Sequence, residues 1–521
     1  MLFSIGVKNL RSFKKTTKVN LNPITVFVGK NSSGKSSFLR TLPLFRQSIE
    51  SNTTGPILWF GRYVDFGDFS EAVSNLSSDE PIEFYFNLQT DMSRPRTVRL
   101  KKRAPSNIEI KLSITSQKLK TIIKSISIKI NDVLVTINPS TLNTSSAAIT
   151  IEGEDGTITK NDLTFTKLGK FIPSLSSIKK KEDMSTKLTS ELFFPEFYYY
   201  HHDDVEELFI EEAVKIVKSH SNARTDTRKI KESLSRIPIS NKDEFLLLLM
   251  HVFKDQKIFT KHLTRKKEEI IRQLYPYLIG WNINYAISEI NAVLHKTFSS
   301  IKYIAPLRAT TERYYRFQDL QINEIDHTGS NLAMLLNSLR PNEQREFTSW
   351  TRDNFGFSVL VKEVGAHYAV TIRTTEENKE YNISDMGFGY SQMLPIIATI
   401  WLETEKRKTS SIRTAPIFVI EQPELHLHPA FQAKLGELFS KVVAAAKEKG
   451  VNLKIIFETH SQNIIESLGE AVEDPNININ NHDISVIVFD KNADGETNIS
   501  TAEFDESGYL MNWPIGFFSG K

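Results

Sequence analysis

The stretch ITVFVGKNSSGKSSFLRTLPLF, Ile24–Phe45, decides the fold. Ile24–Val28 is uncharged and β-branched or aromatic, as in a strand buried on both faces. Gly29–Ser36, GKNSSGKS, then matches G-x-x-x-x-G-K-[ST] at every required position. A helical stretch follows from about Lys35 to Ile49. Strand, glycine-rich loop and helix are the context this motif requires. The glycines let the backbone curl so that its N–H groups face phosphate oxygens, at a helix N-terminus that favours negative charge. The expected ligands are ATP and Mg²⁺. Candidate ATP contacts are Gly29, Lys30, Asn31, Ser33, Gly34, Lys35, Ser36 and Ser37. Lys35 reaches the β- and γ-phosphates, and the Ser36 hydroxyl is placed for the metal.

The rest of such a site lies far along the chain. FVIEQPELHLHP, Phe418–Pro429, reads as a buried strand delivering Glu421, a candidate acid on the Mg²⁺ side. SDMGFGYSQMLP, Ser384–Pro395, offers Gly387, Gly389 and Ser391 as donors at a helix start. LKIIFETHS, Leu453–Ser461, is a third buried strand leading to His460, with Ser461 opening a helix. Gln422 follows Glu421, where many nucleotide-hydrolysing chains carry a second acid. A glutamine orients water but cannot accept its proton, and a missing general base typically costs roughly 10²–10⁴-fold. Glutamine-oriented water still supports slow hydrolysis in some GTPases. Glu424 compensates if the turn through Pro423 swings it inward.

Around these motifs the text changes character. From about residue 80 to 170, short alternating segments such as EFYFNL, IEIKLSI and AAITIEG are punctuated by Asn, Asp, Gly and Pro, as in antiparallel β-structure. Residues 205–300 read as mostly helical, and the last 140 or so alternate helix and strand, the text of a parallel sheet. The expectation is an α/β fold with one ATPase head split between the chain termini. Residues 1–75 carry its N-terminal half, 76–204 a β-rich insert, 205–300 a mainly helical insert and 301–521 its C-terminal half.

Composition narrows the function classes. The 521 residues hold 65 basic and 62 acidic side chains, a formal net charge of +3. Bulk charge therefore neither demands nor excludes nucleic acid. There is no cysteine, which removes disulfides, thiolate zinc sites and cysteine nucleophiles and fits a cytoplasmic protein. MLFSIGVKNLRSFKK is broken by Lys8 and Arg11 and reads as neither signal peptide nor anchor. No run reaches the ~18–20 apolar residues of a membrane helix, so no membrane role is expected.

The order GKNSSGKS, GFGYSQ, IEQPELHLHP, ETHS resembles the ABC-type ATPase heads of the SMC and OLD group, a branch of the AAA family ATPases. YIAPLRATTERYY (303–315) and FDESGYLMNWPIGFF (504–518) are similar to a narrower bacterial subgroup, which includes the ATPase subunits of Septu-type phage-defence systems, some linked to retrons. The resemblance covers both chain ends and says little about residues 80–300. It implies head-to-tail pairing as a homodimer or higher oligomer. Gly387, Gly389, Ser391 and Gln392 would then act in trans on ATP bound to the partner's loop. By position, Glu421 matches the family's magnesium-side acid, Gln422 its catalytic acid and His460 its switch histidine. Gln422, Glu424 and His460 are thus the catalytic candidates, and Ser36 and Glu421 the metal ligands. The resemblance further implies a separate HNH-type nuclease partner, with a reverse transcriptase and its RNA–DNA hybrid in retron-linked systems. The competing reading is an OLD-like or DNA-repair ATPase with its own DNA-processing activity. OLD-type relatives carry a nuclease domain after the ATPase, whereas here only about 60 residues follow His460, with no clear acidic cluster. A transporter's nucleotide-binding subunit fits the inserts poorly.

Other patterns carry less. His426 and His428 sit two apart in a turn and read as loop residues, not metal ligands. DKNADG, Asp490–Gly495, starts like a calcium loop but has Thr501 at the twelfth position, so a hairpin turn is expected. HHDD at 201–204 reads as a surface patch. Ser93–Arg103 holds Arg94, Arg96, Arg99, Lys101, Lys102 and Arg103 without an acid and is the candidate phosphate-backbone contact. Lys179–Lys181 and Arg265–Lys267 are smaller clusters.

Overall fold

The computed structural model describes residues 1–51, 53–92, 97–98, 105–139, 146–166, 171–177, 204–318, 322–374, 379–406 and 414–513. In chain order its strands are β1 (Leu2–Lys8), β2 (Thr17–Asn20), β3 (Ile24–Gly29), β4 (Ile82–Thr90), β5 (Ser106–Gln117), β6 (Lys120–Ile130), β7 (Val133–Pro139), β8 (Ser146–Gly153), β9 (Gly156–Thr166), β10 (Ser174–Ser177), β11 (Ile301–Ile304), β12 (Tyr315–Arg316), β13 (Phe357–Val364), β14 (His367–Thr374), β15 (Glu380–Asn382), β16 (Ile417–Glu421), β17 (Lys454–Glu458), β18 (Ile484–Lys491), β19 (Thr497–Phe504) and β20 (Leu510–Met511).

One sheet runs β11-β16-β17-β3-β18-β19-β20. It is parallel from β11 to β18, and β19 and β20 extend it antiparallel. β3 comes from the start of the chain and its neighbours from beyond residue 300, so both chain ends build this sheet. The expected α/β architecture is what the chain adopts. The central strands β3, β16 and β17 are buried on both faces, which is why they read as mostly apolar runs. Phe27, Val419, Ile456 and Phe489 pack into a core on one face. Val26, Val28, Phe418, Ile420, Ile455, Phe457 and Val488 pack into the core on the other. The helices Phe388–Trp401, Pro429–Glu448 and Gln462–Glu473 cover that second face.

A second, antiparallel sheet runs β10-β9-β8-β7-β6-β5-β4-β1-β2. The β-rich stretch therefore continues a sheet that β1 and β2 begin, with Ile5 opposite Phe86 in the β1–β4 register. Of the six helices among the described residues between Asp204 and Ser299, Asp204–Ser219, Lys267–Trp281 and Ile283–Ser299 pack on it, and the others pack on these helices or on one another. Phe298 meets Phe45 at 4.8 Å and Phe86 at 5.9 Å between ring centroids, tying helix, sheet and the helix after the loop into one core. A smaller sheet has β14 between β12 and β13, with β15 also on β14.

The stretch expected as one helix from Lys35 is two, Lys35–Leu39 and Thr41–Glu50. Pro43 has no N–H to give the Leu39 carbonyl, so the ladder is interrupted at Arg40. Phe38 anchors the first of these helices, with ring centroids 5.8 Å from Phe13, 5.6 Å from Phe27 and 6.1 Å from Phe489.

The six cations of the Arg94–Arg103 cluster, Lys179–Lys181 and residues 201–203 of HHDD lie outside the described residues. Arg265–Lys267 is exposed beside Glu268 and Glu269, with Lys266 Nζ 3.1 Å from Glu269. No helix among the described residues is long and apolar enough to cross a membrane.

Candidate nucleotide-binding site

β3 runs straight into the loop. Gly29 has φ 152°, and a Cβ there would stand 2.3 Å from the Phe489 carbonyl oxygen. Gly34 has φ 102°, and a Cβ would meet Thr497 Oγ1 at 2.9 Å. Both positions demand glycine because backbone conformation and space agree. The loop is braced from behind. The Thr497 hydroxyl donates to the Ser33 carbonyl at 2.8 Å and lies 2.7 Å from Ser12 Oγ. Lys35 is 5 % exposed, and its Nζ donates to the carbonyls of Gly29 and Lys30, each at 2.9 Å. Burial lowers the Lys35 pKa, opposed by the charges of Glu458 and Glu424. Ser33 Oγ is buried with no hydrogen-bond partner. An orphaned hydroxyl inside a loop of this kind fits a phosphate oxygen as its missing partner. A cleft of about 520 Å³ opens over Ser32–Ser37, walled by Arg11, Glu71, Asn75 and Lys491.

At the neighbouring strand ends stand two buried acids in register, Glu421 on β16 and Glu458 on β17. Glu421 is fully committed. Arg40 donates from Nε and Nη2 to its two oxygens, both at 2.8 Å, and the Tyr303 hydroxyl donates at 2.6 Å. That pairing raises the Arg40 pKa, and burial, then the Glu421 charge, raises that of Tyr303. Ser36 does not meet Glu421. Its hydroxyl lies 2.7 and 2.9 Å from the two oxygens of Glu458. Burial, with the Glu421 charge beside it, pushes the Glu458 carboxyl up to about 7. The sequence reading passed over Glu458. Its signal was an acid ending a buried strand, as Glu421 does, in the motif that drew attention to His460.

The turn after β16 is constrained. Gln422 has φ 43°, a left-handed conformation that is strained for a side chain of this size, and its N–H donates to the Glu458 carbonyl at 3.1 Å. Arg308, only 5 % exposed, donates from Nη2 to the carbonyls of Glu421 and Gln422 at 2.8 and 3.3 Å. Burial pulls its pKa down to about 10, against the opposing charges of Glu424 and Glu421. Its Nε and Nη1 have no partner. Glu424 Oε1 accepts the His460 N–H at 2.7 Å, and burial raises the Glu424 pKa. Partial burial and the Lys35 charge hold the His460 imidazole below the usual histidine value. β17 itself ends at Glu458, two residues before His460. The structure thus gathers Lys35, Ser36, Glu421, Gln422, Glu424 and His460 at one end of the parallel sheet, as the motif order suggested, and adds Glu458, Arg40, Tyr303 and Arg308.

Arg40 ties the helix after the loop to Glu421, so Arg40→Ala leaves a buried carboxylate with only Tyr303. Breaking a fully buried pair costs about 3–5 kcal/mol, and Arg40 is partly exposed. A loss of about 2 kcal/mol, read as a lower denaturant midpoint, is the expected result.

The signature residues divide. Gly387, φ 78°, caps the helix Phe388–Trp401 without a side-chain cap, so first-turn N–H groups stay open. Gly387 and Phe388 are exposed, whereas Ser391 and Gln392 are buried. Ser391 Oγ donates to the Phe388 carbonyl at 2.8 Å, and Gln392 Nε2 to the Arg308 carbonyl at 3.4 Å. None of the four lines the cleft over the loop. A Cβ on Gly389 would stand 3.3 Å from the His426 carbonyl oxygen, so this helix start and the turn after β16 share a surface. His426 packs against Phe388, and His428 Nδ1 accepts the Ala430 N–H at a helix start. Among the described residues no three His, Cys, Asp or Glu gather as a metal set. DKNADG is the turn of the β18–β19 hairpin, as expected.

The sequence profile described as "AAA ATPase domain" matches residues 1–465, a span that holds the loop, the signature, β16 and His460. The chain belongs to this family. Nucleotide binding by an AAA ATPase domain accords with the loop described above. The chain is also similar to solved SMC heads. The SMC head domain from Thermotoga maritima is 9 % identical, with 96 % of this chain and 98 % of that one covered and a TM-score of 0.36. The Smc head domain with an extended coiled coil bound to the C-terminal domain of ScpA, from Pyrococcus furiosus, is 12 % identical, with 96 % of each chain covered and a TM-score of 0.34. No curated protein matches the sequence.

Proposed function

We propose that this AAA ATPase domain is the ATP-binding, slowly hydrolysing subunit of a bacterial antiphage defence complex, and that ATP-dependent head-to-tail dimerisation lets it control an associated nuclease. The observation that carries the slow turnover is Gln422. It stands on a strained turn beside an otherwise furnished site, where a hydrolase needs a base. ATP lies over Gly29–Ser37, with Lys35 on its phosphates and Mg²⁺ on the Ser36 side, where Glu421 and Glu458 supply carboxylate. All of these donors are oxygens, which suits Mg²⁺. Gln422, Glu424 and His460 face the attacking water. Gly387, Gly389, Ser391 and Gln392 form the surface and the scaffold of the trans contact. ATP that bridges two subunits favours the dimer by mass action. The defence role and the HNH-type nuclease, with reverse transcriptase and RNA–DNA hybrid in retron-linked forms, rest on the likeness of segments 303–315 and 504–518. Nucleic acid contact through Arg94–Arg103 is part of the same proposal.

Phe388 tests the dimer. It is 63 % exposed at the open helix start. Phe388→Glu sets a carboxylate where the partner's phosphate would approach. Wild type is expected to shift from monomer to dimer on adding ATP and Mg²⁺ in sedimentation velocity. The variant is expected to bind ATP and stay monomeric. A variant that dimerises normally rules out this face. Cleavage of DNA by the purified chain with Mg²⁺ or Mn²⁺ would favour the OLD-like or repair reading instead.

A further inference from the structure

We infer that Arg308 is a positioning residue that couples the helix Phe388–Trp401 to the turn carrying Gln422, an inference that rests on reading the site as an ATPase whose signature acts in trans. Arg308 follows β11, the strand paired with β16. It is buried, and it holds the turn by its backbone. Nη2 donates to two successive carbonyls, of Glu421 at 2.8 Å and of Gln422 at 3.3 Å. Both reach one nitrogen because Gln422, at φ 43°, bends the chain out of its extended path. A left-handed residue of this size persists only where its surroundings over-determine it. Here they are charge-assisted hydrogen bonds from a buried guanidinium, with the Gln422 N–H fixed on the Glu458 carbonyl at 3.1 Å.

The same residue meets the signature helix. Gln392 Nε2 donates to the Arg308 carbonyl at 3.4 Å. The backbone is pinned on both sides of Arg308. The Ala305 N–H donates to the His327 carbonyl at 2.9 Å, and the Ala309 N–H to the Thr328 carbonyl at 2.8 Å. Gly329, next along, lies against the helix, since a Cβ there would stand 2.5 Å from Pro395 Cγ. The helix therefore reaches Arg308 twice, through Gln392 and through the 327–329 segment. Its start at Gly387 and Phe388 is exposed. A ligand that shifts the helix on seating there shifts Arg308, and Arg308 shifts the turn. The turn also has a second arrangement within reach. Arg308 Nε and Nη1 are buried without a hydrogen-bond partner, and so is Oε2 of Glu424, whose charge acts on Arg308. Unmet buried groups are costly, and a small movement that lets these meet satisfies both.

Hydrogen exchange read by mass spectrometry follows the coupling without any turnover. With purified full-length chain, peptides covering Phe388–Leu394 and Glu421–His428 are compared with and without ATP and Mg²⁺, and sedimentation velocity reports the dimer. In wild type both peptides are expected to exchange more slowly once the dimer forms, the turn by up to about 10-fold, the effect of strengthening about one hydrogen bond. Arg308→Lys keeps the charge, but a compact ammonium does not reproduce a guanidinium fork. The variant is expected to dimerise and to slow exchange at the helix start while the turn stays as in the ATP-free protein. Its single-turnover rate is expected to fall by up to about 100-fold, the effect of a misplacement of about 1 Å, with ATP Kd within about 3-fold of wild type. A merely structural role would not separate rate from affinity in this way. If Arg308→Lys does not fold, Arg308→Gln takes its place, a neutral donor that leaves no buried charge, and the wild-type comparison needs no variant. A variant whose turn responds as wild type does overturns the coupling. So does a wild type that dimerises with no change at the turn. A wild type that fails to bind ATP or to dimerise sinks the trans reading and this inference with it, and sedimentation tells that outcome from the others.

Discussion

Lys35→Ala is expected to weaken ATP binding by about 100-fold, the equivalent of about 2.7 kcal/mol and within the range for a hydrogen bond to a charged group. The Lys35 ammonium is a positive charge buried within the loop, and it is held there by the Gly29 and Lys30 carbonyls. Those carbonyls sit on a loop that faces a cleft, so water replaces Lys35 in the variant and stability changes little. That separates the expected effect from simple misfolding: thermal unfolding stays near wild type while binding, by calorimetry or a fluorescent ATP analogue, is lost. Lys35→Arg is not a rescue, since a planar guanidinium cannot reproduce a compact charge between two carbonyls. Unchanged affinity in Lys35→Ala would place ATP elsewhere and remove the basis for the whole site.

The loop was legible because its requirements are local. Gly29 and Gly34 are dictated by backbone angle and by atoms that press on them, and the pattern records that directly. β3, β16, β17 and β18 were legible for a related reason. Burial on both faces leaves few polar positions inside each run, and the charged ones stand at its ends. Helix boundaries were less so, since Pro43 acts on a carbonyl four residues back and splits what periodicity reads as one helix.

What the sequence concealed is the set of contacts between distant segments. Ser36 and Glu458 are 422 residues apart, and Arg40 and Glu421 are 381 apart. No spacing rule links them. Motif order assigned the metal to Glu421, because that acid ends a buried strand and matches by position the magnesium-side acid of the family the chain resembles. The sheet order places β17 between β16 and β3, and the Ser36 hydroxyl meets Glu458. The β-rich stretch was similarly readable as antiparallel, while its pairing partner was not: β4 adds to β1, across the whole of the loop and its helices. Arg308 lay in a quoted segment, yet only packing shows it buried against the Gln422 turn.

Gln422→Glu is expected to raise ATP turnover by about 100-fold, the lower end of what a general base contributes. The substitution is nearly isosteric, and the side chain's origin is fixed. The Gln422 N–H is bonded to the Glu458 carbonyl and its own carbonyl to Arg308, so the new carboxylate starts from the position of the old amide. The gain stays at the lower end because the site is already acidic. Glu421, Glu424 and Glu458 stand nearby, and Glu458 is itself pushed up to about 7. A further carboxylate among like charges is also held protonated to a higher pH. The base form therefore grows as pH rises, and the advantage over wild type is expected to widen from slightly acid to alkaline conditions. A steady-state assay across that range measures it, with nucleotide affinity followed in parallel so that kcat is separated from KM. ATP-held dimers of the variant should also be shorter-lived, since hydrolysis removes the ligand that bridges them. A wild type that turns over briskly and gains nothing from the acid would mean that Gln422 is no brake, and that Glu424 or Glu458 already serves as the base.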